Sequence, residues 1–143
     1  MKTSIYYDPN DPNCPYKLAI KDENEYLQEW MNYHRNIGVN HFYIYDNNSK
    51  VPVSEFLKDE KDVTIRRWPY TQTGSQNLAY LDCCKTYGND VDKIAFIDTD
   101  EFIEFDTKYS NIQEVWQDLE EKYGTIDNIG LYWRMYGKSK PYF

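Results

Sequence analysis

The chain has 143 residues, a length that fits one domain with one sizeable hydrophobic core. Hydrophobic residues make up 41% of the sequence and 15 residues are tyrosine, so a packed core is expected rather than a disordered segment. The formal net charge of −8 argues against binding to a nucleic-acid backbone, which needs clustered lysine and arginine. A single nucleotide needs only local donors or a metal ion, and the charge does not exclude one.

No membrane or secretion signal is predicted. The sequence has no run of about 18 apolar residues, the length that a transmembrane helix needs. Residues 1–15 lack a hydrophobic signal region. The cysteines, Cys14, Cys83 and Cys84, are odd in number and lack metal-type spacing, which favours reduced thiols. These features predict a cytoplasmic protein without a transmembrane segment.

The start of the chain differs from the rest in its proline content. Residues 1–15 contain Pro9, Pro12 and Pro15 and are predicted to be an irregular arm. A single domain is then expected over residues 16–143. Its first element is predicted to be a short strand at 16–20.

The first helix has a clear start, face and end. Asp22 and Glu25 are spaced as a capping box, and Gly38 is placed to end the helix in a left-handed conformation. The residues between them carry one apolar stripe at helical spacing. His34 lies on that stripe, which favours a packed core histidine over a ligand.

The rest of the chain alternates strands and helices. This order predicts an α/β fold with a mostly parallel, twisted sheet and helices on both faces. Strands are predicted at 40–45, 63–68, 93–97 and 129–135, and helices at 54–60, 75–88 and 110–124.

An acidic cluster follows the apolar strand at 93–97. In an open α/β sheet, ligands bind just beyond the carboxyl ends of the strands, where Asp98, Asp100 and Glu101 are placed. In an extended segment Asp98 and Asp100 would face one ligand while Thr99 points away. Two such carboxylates suit Mg²⁺ or Mn²⁺. The alternative is an acidic cluster that merely ends a strand at the surface.

Two earlier strand ends also carry polar clusters, residues 21–23 and Asp46-Asn47-Asn48. A plain turn is an equally good interpretation of the second cluster. No glycine-rich phosphate loop follows the first predicted strand, which disfavours nicotinamide dehydrogenases and P-loop enzymes. The charge of a diphosphate would then have to be met by a metal on the carboxylates. This reasoning predicts a metal-dependent enzyme that uses a nucleotide diphosphate donor.

Several blocks of the sequence resemble the glycosyltransferase family 92 (DUF23) domain and related family-2-like enzymes. The N-terminal blocks are IKDENEYLQEW at 20–30, YHRNIGV at 33–39 and HFYIYDN at 41–47. The resemblance spans about residues 16–140. It continues in order through Gln76, Ala79, Asp82, Cys83, the block 97–102, Trp133, Tyr136 and Gly137.

The resemblance implies a GT-A fold that binds a nucleotide sugar, usually a UDP-sugar, together with Mn²⁺ or Mg²⁺. It implies inverting transfer of the sugar to a glycan or similar acceptor. Asp100 would be the metal ligand, Asp98 would contact the ribose or a metal-bound water, and Asp46 would recognise the base. The implied donor-binding residues are Lys21, Glu23, Asp46, Asn47, Gln76, Asp98 and Thr99, and the implied metal residues are Asp98 and Asp100.

Two further positions have open roles. Trp133 could stack on an acceptor sugar or pack in the core. Glu29 matches another carboxylate of the family, although a cap or a salt bridge would also explain it.

The chain is shorter than a GT-A domain, which usually has about 200 residues or more. An inverting enzyme needs a carboxylate base, and none is assigned; Glu101, Glu104 and Asp106 are the nearest candidates. The main hypothesis is a glycosyltransferase. The alternative is a truncated, non-catalytic module that binds nucleotide sugar and metal, with an oligomer or a partner chain completing the domain.

Overall fold

The computed structural model describes residues 2–7, 24–70 and 74–134. These residues form a parallel sheet and its flanking helices. The elements are β1 (Lys2–Tyr7), α1 (Asn24–Asn36), β2 (His41–Asp46), α2 (Val53–Phe56), β3 (Val63–Arg67), α3 (Ser75–Tyr87), β4 (Ile94–Phe96) and α4 (Ile112–Tyr123), with a 3-10 turn at Gly88–Asp90.

The sheet has four strands in the order β3-β2-β1-β4, and every pair is parallel. β1 pairs with β2 from Lys2 opposite His41 to Tyr7 opposite Asp46, and with β4 on its other side. The strand order reverses direction between β1 and β4. Such a reversal is the position at which open α/β sheets bind ligands, beyond the carboxyl ends of the strands.

Helices cover both faces of the sheet, as predicted. Side chains alternate along β2, so Phe42 and Ile44 pack on one face while Tyr43 and Tyr45 pack on the other. The first face contacts residues of α1 and α4, and the second contacts residues of α3. The first core cluster is Trp30, Met31, Val39, Phe42, Ile44, Leu57, Ile97, Ile103 and Ile112, and the second is Tyr43, Tyr45, Trp68, Ala79 and Cys83.

α1 ends as the sequence predicts. Gly38 has a φ of 101°, a left-handed conformation that favours glycine, and Val39 N donates to His34 O at 2.9 Å. Gln113 of α4 donates from its side chain to Gly38 O at 2.7 Å. The end of α1 is therefore tied directly to α4.

α4 begins with a capping box formed by Asn111 and Glu114. Asn111, and not Ser110, is the N-cap and accepts from Glu114 N at 3.0 Å. Glu114 in turn accepts from Ser110 N at 2.7 Å. Ser110 and Gln113 have the same spacing as Asn111 and Glu114 and could also form a capping box. The side chain of Gln113 is instead bonded to Gly38 O, next to α1.

The irregular arm predicted at 1–15 is wrong for residues 2–7, which form β1 at the centre of the sheet. Thr3, Ile5, Tyr6 and Tyr7 are β-branched or aromatic and precede the first proline, a composition that favours a strand. This strand lies before residue 16, where the sequence placed the start of the domain. The strand predicted at 16–20 falls outside the described residues.

The last predicted strand is absent over its described part, residues 129–134. A strand needs a neighbour to take up its backbone hydrogen bonds, and no described strand lies alongside this segment. Its side chains are exposed instead, 58% for Leu131 and 72% for Trp133. The helix predicted at 54–60 is also shorter, because α2 ends at Phe56. Within the described residues, no helix is long and apolar enough to cross a membrane.

Candidate functional site

The acidic cluster forms a turn at the carboxyl end of β4, beside the point where the strand order reverses. We call residues 98–101 the acidic turn. Glu101 N donates to Asp98 O at 3.1 Å, and Asp98 N donates to Glu101 Oε2 at 3.1 Å. The segment is thus not extended. The prediction that Asp98 and Asp100 lie in an extended segment was wrong, because these two hydrogen bonds close the chain into a turn.

α1 holds the acidic turn through side-chain donors. The indole nitrogen of Trp30 donates to Asp98 O at 3.1 Å and to Glu101 O at 2.7 Å. The hydroxyl of Tyr33 donates to Ile103 O at 2.9 Å. Trp30 is fully buried, so the turn is fastened to the core rather than lying loose on the surface. These contacts fix the backbone of the turn without using the carboxylates of Asp98 and Asp100.

His34 is a core residue, as predicted from its place on the apolar stripe. It is fully buried, and Ile103 N donates to its Nε2 at 3.4 Å. The proton must then be on Nδ1, which donates to Trp30 O at 2.8 Å. Burial lowers the pKa of His34, opposed by this hydrogen bond to Trp30. A neutral histidine bonded through both nitrogens is a structural element.

The carboxylate of Asp98 lies in an electrostatically unfavourable place. Burial, followed by the negative charges of Glu101 and Asp100, raises its pKa from 3.8 to about 6. Gln76 opposes this effect by donating from Nε2 to Asp98 Oδ1 at 3.3 Å. The same nitrogen lies 2.8 Å from the hydroxyl of Tyr80, whose pKa burial and the charge of Asp98 raise to about 12. A divalent cation would relieve this repulsion.

The carboxylates of Asp98 and Asp100 would suit a metal ion that is also bound by a substrate. In the described part of the chain, no group of three or more histidine, cysteine or acidic residues could hold a metal. Mg²⁺ and Mn²⁺ are commonly bound by one or two carboxylates, with water and substrate phosphates as the other ligands. Asp98 and Asp100 supply that smaller number. They do not form a permanent, all-protein metal centre.

Asp46 lies at the carboxyl end of β2, about 10 Å from the acidic turn, because β1 separates β2 from β4. Its Oδ1 accepts from Ser49 N at 2.9 Å and its Oδ2 from Val53 N at 3.2 Å. Both oxygens therefore hold the loop that leads into α2. This geometry favours the turn interpretation of Asp46, and its role at a base stays a prediction.

The sequence matches the family model for glycosyltransferase family 92 over residues 14–142. The chain belongs to glycosyltransferase family 92. It is 30% identical over 115 residues to a family 92 protein of Oryza sativa subsp. japonica, covering 78% of this chain and 18% of that protein. It is 27% identical over 133 residues to one of Ricinus communis, covering 87% of this chain and 24% of the relative. A family 92 protein of Arabidopsis thaliana is 29% identical over 112 residues, covering 73% of this chain and 19% of that protein.

This family 92 chain thus spans about a fifth of the length of these curated relatives. No solved structure matches the sequence. The strand order and the acidic turn are the features of the family 92 chain that bear on its chemistry.

The described structure brings part of the predicted donor site together. Gln76 lies against Asp98, and Thr99 and Asp100 belong to the same turn. Asn47 is fully buried at the end of β2 and donates to the carbonyls of Trp68 and Tyr70, so it supports the loop after β3. Lys21 and Glu23 fall outside the described residues.

Of the three candidate bases, only Glu101 lies in the acidic turn, where its Oε2 accepts from Asp98 N at 3.1 Å. Glu104 lies 3.7 Å from Arg134, and Asp106 accepts from Lys108 N at 3.0 Å. The side chain of Trp133 is 72% exposed, which excludes the core-packing alternative for it within the described structure. Glu29 lies inside α1, so it does not cap the helix, and it makes no ion pair with the described residues.

Arg67 is a candidate site residue that the sequence-based prediction did not point to. It ends β3 and lines a pocket of about 420 Å³ together with Asp46, Asn48, Ser49, Pro52, Ser54 and Ile65. Its Nε lies 3.3 Å from Asn48 Oδ1. The signal was available, because Arg67 is a cation at the carboxyl end of a predicted strand in an acidic chain.

Proposed function

We propose that this chain forms the donor-binding part of a metal-dependent, inverting glycosyltransferase with a GT-A fold. The donor is a nucleotide diphosphate sugar, with UDP as the first candidate, and the acceptor is a hydroxyl of a glycan or similar molecule. The observation that carries the proposal is the acidic turn of a family 92 chain at the strand-order reversal of a parallel sheet. The proposal also includes a cytoplasmic location, which is the one expected from the sequence.

Asp98 and Asp100 would hold Mn²⁺ or Mg²⁺ together with the donor diphosphate. When bound, the ion would neutralise the charge of the departing diphosphate, a form of electrostatic catalysis. Gln76 would orient the Asp98 carboxylate through its hydrogen bond. Trp30 would keep the backbone of the turn in place, because its indole contacts carbonyls at both ends of the turn.

The pocket beside Asp46 and Arg67 is the candidate site for the nucleotide base and ribose. Its volume of about 420 Å³ lies within the usual range for small-molecule sites, about 300–1,000 Å³. Asn47 would support this pocket by holding the loop after β3, and Lys21 and Glu23 stay proposed donor-binding residues. Arg67 would supply a positive charge where the protein is otherwise acidic.

The catalytic base and much of the acceptor site are proposed to come from outside the described residues. An additional segment, an oligomer or a partner chain could supply them. The exposed apolar side chains of Leu131 and Trp133 favour such a completion, since exposed apolar clusters mark interaction sites. If no completion exists, the chain would be the non-catalytic nucleotide-sugar and metal-binding module.

Calorimetric titration tests the proposal directly. UDP, GDP and their sugar conjugates are titrated into the protein with and without Mn²⁺. Binding of one nucleotide that requires the metal is the expected result. No binding of any nucleotide would overturn the proposal.

The metal assignment is tested by Asp100→Ala. We expect loss of metal-dependent donor binding without a decrease in the free energy of unfolding, because Asp100 is exposed. Asp92→Ala is the matched control, since Asp92 is an exposed carboxylate before the other end of β4. Metal-dependent affinity that survives in Asp100→Ala would rule out the assignment.

A further inference from the structure

A second, shallow depression lies on the outer side of α1 and spans about 600 Å³. We call it the α1 groove. Most of its lining residues recur every four positions along the helix and so share one helical face. Phe102, which follows the acidic turn, forms the remaining part. The lining residues are Gln28, Glu29, Asn32, Tyr33, Asn36 and Phe102.

An aromatic platform forms one side of the α1 groove. The side chain of Phe102 is 44% exposed, although a phenyl ring gains from burial. It is held in place by Tyr33, whose ring meets it edge-on at 5.0 Å, and by His34, whose ring stacks on it at 5.9 Å. Tyr33 is itself fixed by its hydrogen bond to Ile103 O. The platform is thus rigid while one part of it faces solvent.

Polar groups form the other side of the groove. Asn32 Oδ1 accepts from Gln28 Nε2 at 3.3 Å and from Arg35 Nη1 at 3.0 Å. These bonds hold the Asn32 amide so that its nitrogen is left for a ligand. The Glu29 carboxylate and the Asn36 amide make no hydrogen bond or ion pair with the described residues. The groove therefore offers both donors and acceptors.

We propose that the α1 groove binds a neutral saccharide. A sugar ring has an apolar C–H face and a rim of hydroxyls that donate and accept at once. The exposed aromatic ring matches the C–H face of the sugar, and the amide and carboxylate groups match its hydroxyls. The Glu29 carboxylate and the net charge of −8 disfavour uronic or sialic acids.

A peptide fits this surface less well. A peptide in a helix-lined groove needs pockets for several apolar side chains, and here only Phe102 and Tyr33 are apolar. The saccharide would lie next to the acidic turn, because Phe102 directly follows Glu101. A role as the acceptor subsite rests on the proposed function, whereas saccharide binding does not.

The test is a titration of the ¹⁵N-labelled chain followed by its amide NMR spectrum. The probes are neutral tetrasaccharides of glucose, mannose, xylose and galactose at millimolar concentration. At least one should shift the amides of residues 28–36 and 102, while a uronic acid oligosaccharide should not. Absence of such shifts with every neutral probe would overturn the proposal. The same conclusion would hold if an oligolysine peptide shifted these amides and no neutral saccharide did.

Two variants and a control make the test specific. Phe102→Ala should weaken binding about tenfold, because the aromatic platform is removed. Glu29→Gln should weaken it about fivefold, because a charge-assisted hydrogen bond becomes a neutral one. Tyr26→Ala removes an aromatic ring of α1 that is 68% exposed and outside the groove, and it should bind normally. Unchanged affinity in Glu29→Gln, an exposed position whose change does not threaten the fold, would contradict the proposed contact.

Titration of UDP with Mn²⁺ on the same samples separates the two proposals. Saccharide binding without UDP binding would overturn the donor-site proposal and support the groove. UDP binding without saccharide binding would overturn only the groove.

Discussion

Asp98→Asn should stabilise the metal-free protein at neutral pH. The pKa of Asp98 is raised from 3.8 to about 6, so the folded state binds more protons than the unfolded state between these values. The free energy of unfolding therefore falls as pH rises through this window, and the loss is complete above about pH 6. Asparagine removes the charge, and its Oδ1 can still accept from Gln76.

The magnitude follows from the pKa and the partial exposure of the side chain. Each pKa unit corresponds to about 1.4 kcal/mol, so a rise to about 6 would amount to about 3 kcal/mol in a dry site. Asp98 is only half-buried, and solvent screening reduces the effect to about 1–2 kcal/mol. Asp98→Asn should therefore raise the free energy of unfolding by about 1–2 kcal/mol at pH 7.

Urea unfolding measured at a series of pH values without metal checks this prediction. The wild-type protein should lose stability on going from about pH 4 to about pH 7, and Asp98→Asn should lose less. Asp92→Asn is the control, because it removes an exposed carboxylate before the opposite end of β4. A variant that is less stable than the wild type at pH 7, or that has the same pH dependence, would refute the electrostatic reasoning.

Three further substitutions test other parts of the structure. Trp30→Phe should lower the free energy of unfolding by about 1–3 kcal/mol in urea, because Glu101 O loses the indole donor and Asp98 O keeps only Glu101 N. Asp46→Ala should lower the free energy of unfolding by about 1–2 kcal/mol, because two backbone N–H groups lose their acceptor. Calorimetry should also show weaker UDP binding by this variant. Unchanged UDP affinity would leave Asp46 as a turn residue only. Gly38→Ala should lower the melting temperature more than Gly124→Ala. Both glycines have a positive φ, but only at Gly38 would an added Cβ meet the side chain of Gln113. Equal decreases in melting temperature would contradict the tight contact with α4.

Local patterns in the sequence predicted the helices and the ends of several strands. The apolar stripe of α1 identified its buried face, on which Trp30, Met31 and His34 are fully buried. Gly38 identified where α1 ends. Such features depend on residues a few positions apart, so a periodic sequence carries the information. Gln76, which lies beside Asp98, was named only through the resemblance to family 92, as a residue near the donor.

Features that depend on distant pairing were not predictable in this way. The composition of residues 2–7 favours a strand, but it does not reveal that this strand pairs with both β2 and β4. Residues 129–134 have the composition of a strand but no described neighbour. The shape of the acidic turn depends on Trp30, which lies 68 residues from Asp98 and 71 from Glu101 in the sequence.

In the acidic turn, the groups that attach it to the core differ from the groups that would bind a ligand. Its backbone carbonyls are bonded to the Trp30 indole, and that ring is buried in the core. The carboxylates of Asp98 and Asp100 are not needed for that attachment, and the Asp98 charge opposes folding at neutral pH. A change at a carboxylate should therefore alter metal-dependent binding without lowering stability, whereas a change at Trp30 should lower both. A protein that keeps a destabilising carboxylate in a firmly anchored turn has the arrangement expected of a cation-binding position, since strained charge at a functional site is offset when its ligand binds.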